Sequence, residues 1–155
     1  MGQLSEAVVP WLSIVEDLDL LAVAIVALTA RAIYETVGEL SLLQWRTLVE
    51  LHSAGSLRLG DLAVRLPSSM PATSRLVKRM TERGLLATGP VRADGRGISV
   101  RLSAHGRTLH AAVIERRRDL IANGLASTSL PAGLHDGLVI LGERLRTSSF
   151  APVEA

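Results

Sequence analysis

The 155-residue sequence predicts a mainly α-helical fold (α+β) that carries one small β-hairpin. Apolar residues recur at helical spacing through most of the chain, whereas residues 98–102 alternate, with Ile98, Val100 and Leu102 set against Ser99 and Arg101. The composition, 48% hydrophobic but only 3% aromatic, calls for a core of Leu, Val, Ile and Ala and excludes disorder over most of the length. The length suits a single domain. A mean hydropathy of +0.31 is high for a chain with 21% charged residues. Its apolar helix faces therefore exceed what one small domain covers, and a partner chain is expected to bury them.

In order, the first helix runs from about Pro10 to Tyr34, and from Leu20 to Leu28 it is apolar around almost its whole circumference, so burial on several sides is expected. Ser41 caps a second helix from Leu42 to His52, with Trp45, Leu48 and Leu51 inward, and Ala54-Gly55 ends it. A short extended piece, Ser56 to Arg58, leads into a helix from about Gly60 to Arg65. Pro67-Ser68-Ser69 then turns the chain. Ser69 is expected to cap the next helix, which carries Pro71 in its first turn, where a missing N–H costs little, and which stops after Glu82 at Arg83-Gly84. Leu85 to Val91 and Gly97 to Leu102 read as the two strands of the hairpin, joined by the basic turn Arg92-Ala93-Asp94-Gly95-Arg96. Ser103 begins a long helix ending near Gly124. A Ser/Thr/Pro linker precedes the last helix, from about Ala132 to Leu145.

Net charge is only +2, but its distribution is uneven. Residues 1–40 hold six acids and one base, Arg31, whereas residues 61–102 hold eight bases against Asp61, Glu82 and Asp94. Every base except Lys78 is arginine, whose planar fork suits phosphate and guanine. The basic centre points towards nucleic acid.

Several function classes drop out. Without cysteine there is no disulfide, thiolate zinc site or cysteine redox switch. Of the four histidines, His105 and His110 lie about 140° apart on a helix and cannot share a metal on one face. No metal site and no cofactor is expected. There is no G-x-S-x-G elbow and no G-K-[ST] phosphate loop, and the glycines at 95 and 97 sit in a hairpin rather than opening a helix, so no enzyme is read here. The N-terminal residues lack a basic signal-peptide region, and the uncharged, almost wholly apolar run from Leu20 to Ala30 falls short of the roughly 20 residues that span a bilayer. A soluble, cytoplasmic protein is expected. Trp11, Tyr34 and Trp45 read as core or interface packing rather than as a ligand pocket.

Three central helices followed by a hairpin form the order of a winged helix-turn-helix, in which the second helix of the turn enters the major groove and the wing reaches backbone or minor groove. On a wheel centred at Arg75, residues Pro71, Ala72, Lys78, Arg79 and Glu82 fall within about 60° on either side, and Thr73, Leu76, Val77 and Met80 lie opposite. Small residues at the helix start allow close approach to base edges, and the bases farther along can meet phosphates. The candidate duplex contacts are Ser69, Pro71, Ala72, Thr73, Arg75, Lys78 and Arg79 on this helix, with Arg92, Asp94 and Arg96 on the wing.

The segment from Leu57 to Leu66, followed by Ser69 to Met80, resembles the helix-turn-helix of the MarR family of bacterial regulators. Asp94-Gly95-Arg96, five residues, then Leu102-Ser103-Ala104-His105-Gly106 is similar to that family's wing signature, D-x-R-x5-L-[ST]-x-x-G. The likeness covers about residues 38–110. It implies a homodimer with interlocking terminal helices that binds a near-palindromic double-stranded operator, usually as a repressor. It also implies that Arg96 enters the minor groove, oriented by Asp94, and that a small apolar or aromatic ligand between the lobes regulates binding. The corresponding partition is a dimerisation helix over 1–37, a winged helix-turn-helix lobe over 38–102 and C-terminal dimerisation helices over 103–155. The competing reading is a winged-helix module that binds another protein and does not read DNA.

Overall fold

The computed structural model describes residues 5–91 and 97–149, with side chains over 12–91 and 97–145. The order is α1 (Ser5–Val37), α2 (Leu42–Ala54), β1 (Ser56–Arg58), α3 (Leu59–Arg65), α4 (Met70–Glu82), β2 (Leu86–Pro90), β3 (Ile98–Leu102), α5 (Ala104–Leu125) and α6 (Leu134–Ser149). The chain forms two compact units, one ending at Asn123 and the other starting at Gly124. Expected and observed elements agree in kind and order, with one addition.

That addition is β1. The extended piece at Ser56 pairs antiparallel with β3, in register Ser56↔Arg101, Leu57↔Val100 and Arg58↔Ser99, giving a three-stranded sheet in the order β1-β3-β2. Three residues carry too weak an alternation to signal a strand locally, and the partner lies some forty residues away. On the other side of β3, Leu86 pairs with Leu102 and Thr88 with Val100. Leu86, Val100 and Leu102 face the core, while Arg101 is exposed.

Local chemistry accounts for most boundaries. Ser41 and Gln44 form a capping box at α2: the Ser41 hydroxyl accepts from the Gln44 N–H (3.2 Å), and the Gln44 side chain accepts from the Ser41 N–H (2.8 Å). At the end of α4, Gly84 takes a positive φ of 70°. Its N–H reaches the Thr81 carbonyl and the Leu85 N–H reaches that of Met80, both at 2.9 Å, with Met80 and Leu85 buried together. This double closure satisfies two carbonyls that the helix end would leave unpaired. Ser69 behaves differently from expectation. It occupies the N-cap of α4 with extended backbone, but its side chain makes no capping bond.

The core is built from Leu48 and Leu51 of α2, Leu62 of α3, Leu76, Val77 and Met80 of α4, the sheet residues, and Leu109 and Val113 of α5. Among the described side chains of α1, those of its C-terminal part join it, through Thr29, Ala32 and Ile33. Farther back, Leu20 is 70% exposed and Val23 63%. The burial expected for that surface is therefore not supplied by the described residues. Glu35 holds α5 to α1, accepting from Arg116 Nε at 2.6 Å and from Arg31 Nε at 2.7 Å. The bonds from Arg31 and Arg116 hold its carboxyl below the usual carboxylate range. In the second unit, α6 exposes Leu138, Val139 and Ile140.

Candidate nucleic-acid interface

Helix α4 follows α3 across the turn Leu66 to Ser69, so its orientation is set by the packing of Leu62 and Leu66 against Leu76 and Met80 in one core. Thr73, Leu76, Val77 and Met80 are buried; Pro71, Ser74, Arg75, Lys78 and Arg79 are exposed, and Ala72 is half-buried. Lys78 lies 4.0 Å from Glu82, a loose pair on a solvated surface. Arg75 and Arg79 have no ion-pair partner among the described residues. One face of α4 thus presents uncommitted guanidinium groups, and the other is core.

Two of the expected contacts change character. Thr73 is fully buried, and its hydroxyl finds no hydrogen-bond partner among the described residues. It lies on the arc of Leu76, Val77 and Met80, on the face opposite Arg75, so its side chain belongs to the core and not to the exposed face of α4. Ser69 is exposed at the helix start with its hydroxyl not engaged in capping.

The wing rises from β2 and β3, and the Val91 N–H closes it by donating to the Gly97 carbonyl at 3.3 Å. Arg92, Asp94 and Arg96 lie outside the described residues. The rest of the signature has a clear physical basis. Ser103 caps α5: its hydroxyl accepts from the Gly106 N–H (2.9 Å) and donates to the Gly84 carbonyl (2.5 Å), while its own N–H donates to the Leu85 carbonyl (3.1 Å). Gly106 is buried where α5 runs over that same Leu85 carbonyl, so close that a methyl group would overlap its oxygen. Serine and glycine at these positions therefore weld the wing's exit to the end of α4.

Sequence reasoning missed an open cleft of about 510 Å³ bordered by α1, α2, α5 and the turn before α4. Its wall is mostly apolar, with Val26, Leu43, Trp45, Val49 and Pro67, and it includes Arg46 and Arg117. Arg117 donates to the Thr29 hydroxyl at 3.4 Å, and burial, reinforced by the neighbouring charge of Arg118, lowers its pKa. Arg46 donates to Glu50 at 3.0 Å; this carboxylate is only 3% exposed and also faces Arg65 of α3 at 3.7 Å. Next to the cleft, Trp45, His110 and His52 stack, with ring centroids 5.1 Å and 4.2 Å apart. Burial, followed by the charges of His52 and Arg117, pushes the His110 imidazole down to about 4, so it is neutral at physiological pH. Trp45, read from sequence as packing, both packs and lines the cleft. Tyr34 is exposed, and the Trp11 side chain lies outside the described residues.

A three-stranded sheet over a helical core, with α3 and α4 set as a helix-turn-helix and β2–β3 as the wing, defines a winged helix-turn-helix protein. The MarR family model matches residues 39–97. The fold is similar to that of RV1404 from Mycobacterium tuberculosis, at 30% identity over 92% of this chain and 94% of that one, with a TM-score of 0.73. A MarR family protein from Bacillus stearothermophilus is 25% identical over 95% and 94% of the two chains, at a TM-score of 0.65. NadR in complex with 4-hydroxyphenylacetate shares the fold at 18% identity over 88% and 92%, with a TM-score of 0.69. Comparison with curated protein sequences finds no match. The chain belongs to the MarR family of transcriptional regulators. No described helix is long and apolar enough to cross a membrane.

Proposed function

We propose that the protein is a homodimeric repressor that reads a near-palindromic operator in double-stranded DNA through α4 and the wing. The observation that carries this reading is the two-sided character of α4: Arg75, Lys78 and Arg79 on the solvent face, against a fully buried opposite face. Phosphates are the natural partners for guanidiniums that have no ion-pair partner among the described residues. The exposed apolar surface of α1 and the similar residues of α6 support a second copy as the covering partner. A dimer would set two recognition helices one DNA turn apart, about 34–36 Å. Site of action is the bacterial cytoplasm.

The cleft supports release by a small apolar or aromatic ligand. Its apolar wall suits a hydrocarbon or aromatic body, and Arg117 suits an acidic group; the 4-hydroxyphenylacetate held by the structurally similar NadR has both. Occupancy would act on DNA binding through Pro67, which lines the cleft and lies in the turn that leads into α4.

Selection of genomic fragments by the purified protein at about 150 mM salt tests this reading, since non-specific affinity is already weak there. Enrichment of an inverted repeat with half-sites one turn apart is expected. Absence of enrichment from a protein that is dimeric and ligand-free would overturn it.

A further inference from the structure

The leading turn of α4 is chemically unlike the rest of its exposed surface. Met70, the first residue, is 48% exposed although it is a large apolar side chain, and Pro71 beside it is exposed as well. Ala72 follows, half-buried, and the Thr73 hydroxyl is turned into the core. From Met70 to Thr73, therefore, no side chain offers an outward hydrogen-bond donor or acceptor, and Pro71 lacks even a backbone N–H. Arg75, Lys78 and Arg79 come immediately after, on the same exposed side as Pro71. Through Pro71, about 40° from Arg75 on the wheel, the apolar end adjoins the cationic stripe, while Met70, about 140° around, is exposed at the tip of the helix; the cations give this end of α4 a polyanionic partner.

On the reading of α4 as a recognition helix, which this inference rests on, its first residues are the ones that face base edges. The major-groove edges of guanine, adenine and cytosine present donors or acceptors. A side chain with neither leaves them stripped of water and unpaired. Thymine alone adds an apolar group there, the C5-methyl, beside its O4 acceptor. We infer that Met70 and Pro71 read thymine methyl groups, so that each operator half-site carries thymine at the step beneath the start of α4, and that Met70 is a specificity-determining residue. Arg75, one and a half turns along, then supplies the hydrogen-bonded contact and fixes the register.

Removing the methyl alone tests this. An operator is first selected from random-sequence duplexes with the full-length protein, and each thymine is then replaced singly by uracil, which keeps every hydrogen-bonding group. Burying one methyl corresponds to about fourfold in affinity. One or two positions per half-site are expected to lose about that factor, and 5-methylcytosine at those positions is expected to bind better than cytosine. Met70→Ala should bind uracil and thymine duplexes alike at its position, whereas Met70→Leu should keep the discrimination. Full affinity for every singly uracil-substituted duplex would overturn the methyl reading and leave operator binding standing. Failure to select any duplex, with no salt-sensitive DNA binding, would overturn both.

Discussion

Gly106→Ala is the most informative single change, because the helix and its surroundings demand opposite outcomes. Considered as a residue inside α5, alanine should stabilise, by up to about 1 kcal/mol. The added methyl, however, falls on the Leu85 carbonyl oxygen and within 3.1 Å of the carbonyl carbon, and backbone cannot rotate away as a side-chain end can. The start of α5 must move by roughly 1 Å, at an overpacking cost of about 1–3 kcal/mol. The same shift pulls apart the bond from the Ser103 N–H to the Leu85 carbonyl, worth about 1 kcal/mol. The net expectation is a loss of about 2 kcal/mol, or about 4–8 °C in Tm for a chain of this size. Urea denaturation followed by circular dichroism gives the number. Gly124→Ala, in the same helix with no atom within 4 Å of the added carbon, is the control and should be neutral or slightly stabilising. A Gly106→Ala protein as stable as the parent would refute the claim that this glycine exists for close approach.

Three further outcomes follow from the side chains. Because His110 is held neutral down to about 4, the unfolded chain binds the extra proton first as acid is added, so stability should fall as pH drops from 6.5 towards 4, by at most about 3 kcal/mol. Denaturation midpoints across that window check it, and His110→Phe should flatten the dependence. Thr73→Val removes a buried hydroxyl that has no partner among the described residues, and a gain of about 1 kcal/mol is expected in the same denaturation assay. Arg75→Ala and Arg96→Ala should each weaken operator binding with the dimer intact, and for every phosphate that the variant no longer neutralises the log–log salt slope should become shallower by about 0.9.

Features that depend on neighbours in the chain were legible in the sequence. Ser41 and Gln44 announce the start of α2, Arg83-Gly84 the end of α4, and Ser103 the start of α5, because caps and positive-φ glycines act over three or four residues. The cationic face of α4 was equally plain on a wheel. What escaped depends on distant partners. β1 exists because β3 comes back to it. The burial of Glu50 depends on Arg65 arriving from α3, and His110 meets His52 and Trp45 across 58 and 65 residues. Thr73 belonged to the buried arc by periodicity, yet its polarity made it look like a contact.

The position of β1 has a consequence for how the lobe comes apart. Ser56 pairs with Arg101, so the whole of α3, the turn and α4 lie inside a closed loop whose ends are zipped together by the sheet. Closing so long a loop is slow and costs chain entropy that no contact within α3 or α4 repays. Once closed, α4 cannot peel away without unzipping β1 from β3 and uncovering Leu57, Val100 and Leu62 at the same time. Recognition helix and wing therefore open as one cooperative unit. The backbone amides of Leu57 and Val100 are accordingly placed among the slowest to exchange with solvent, released only when the lobe as a whole unfolds.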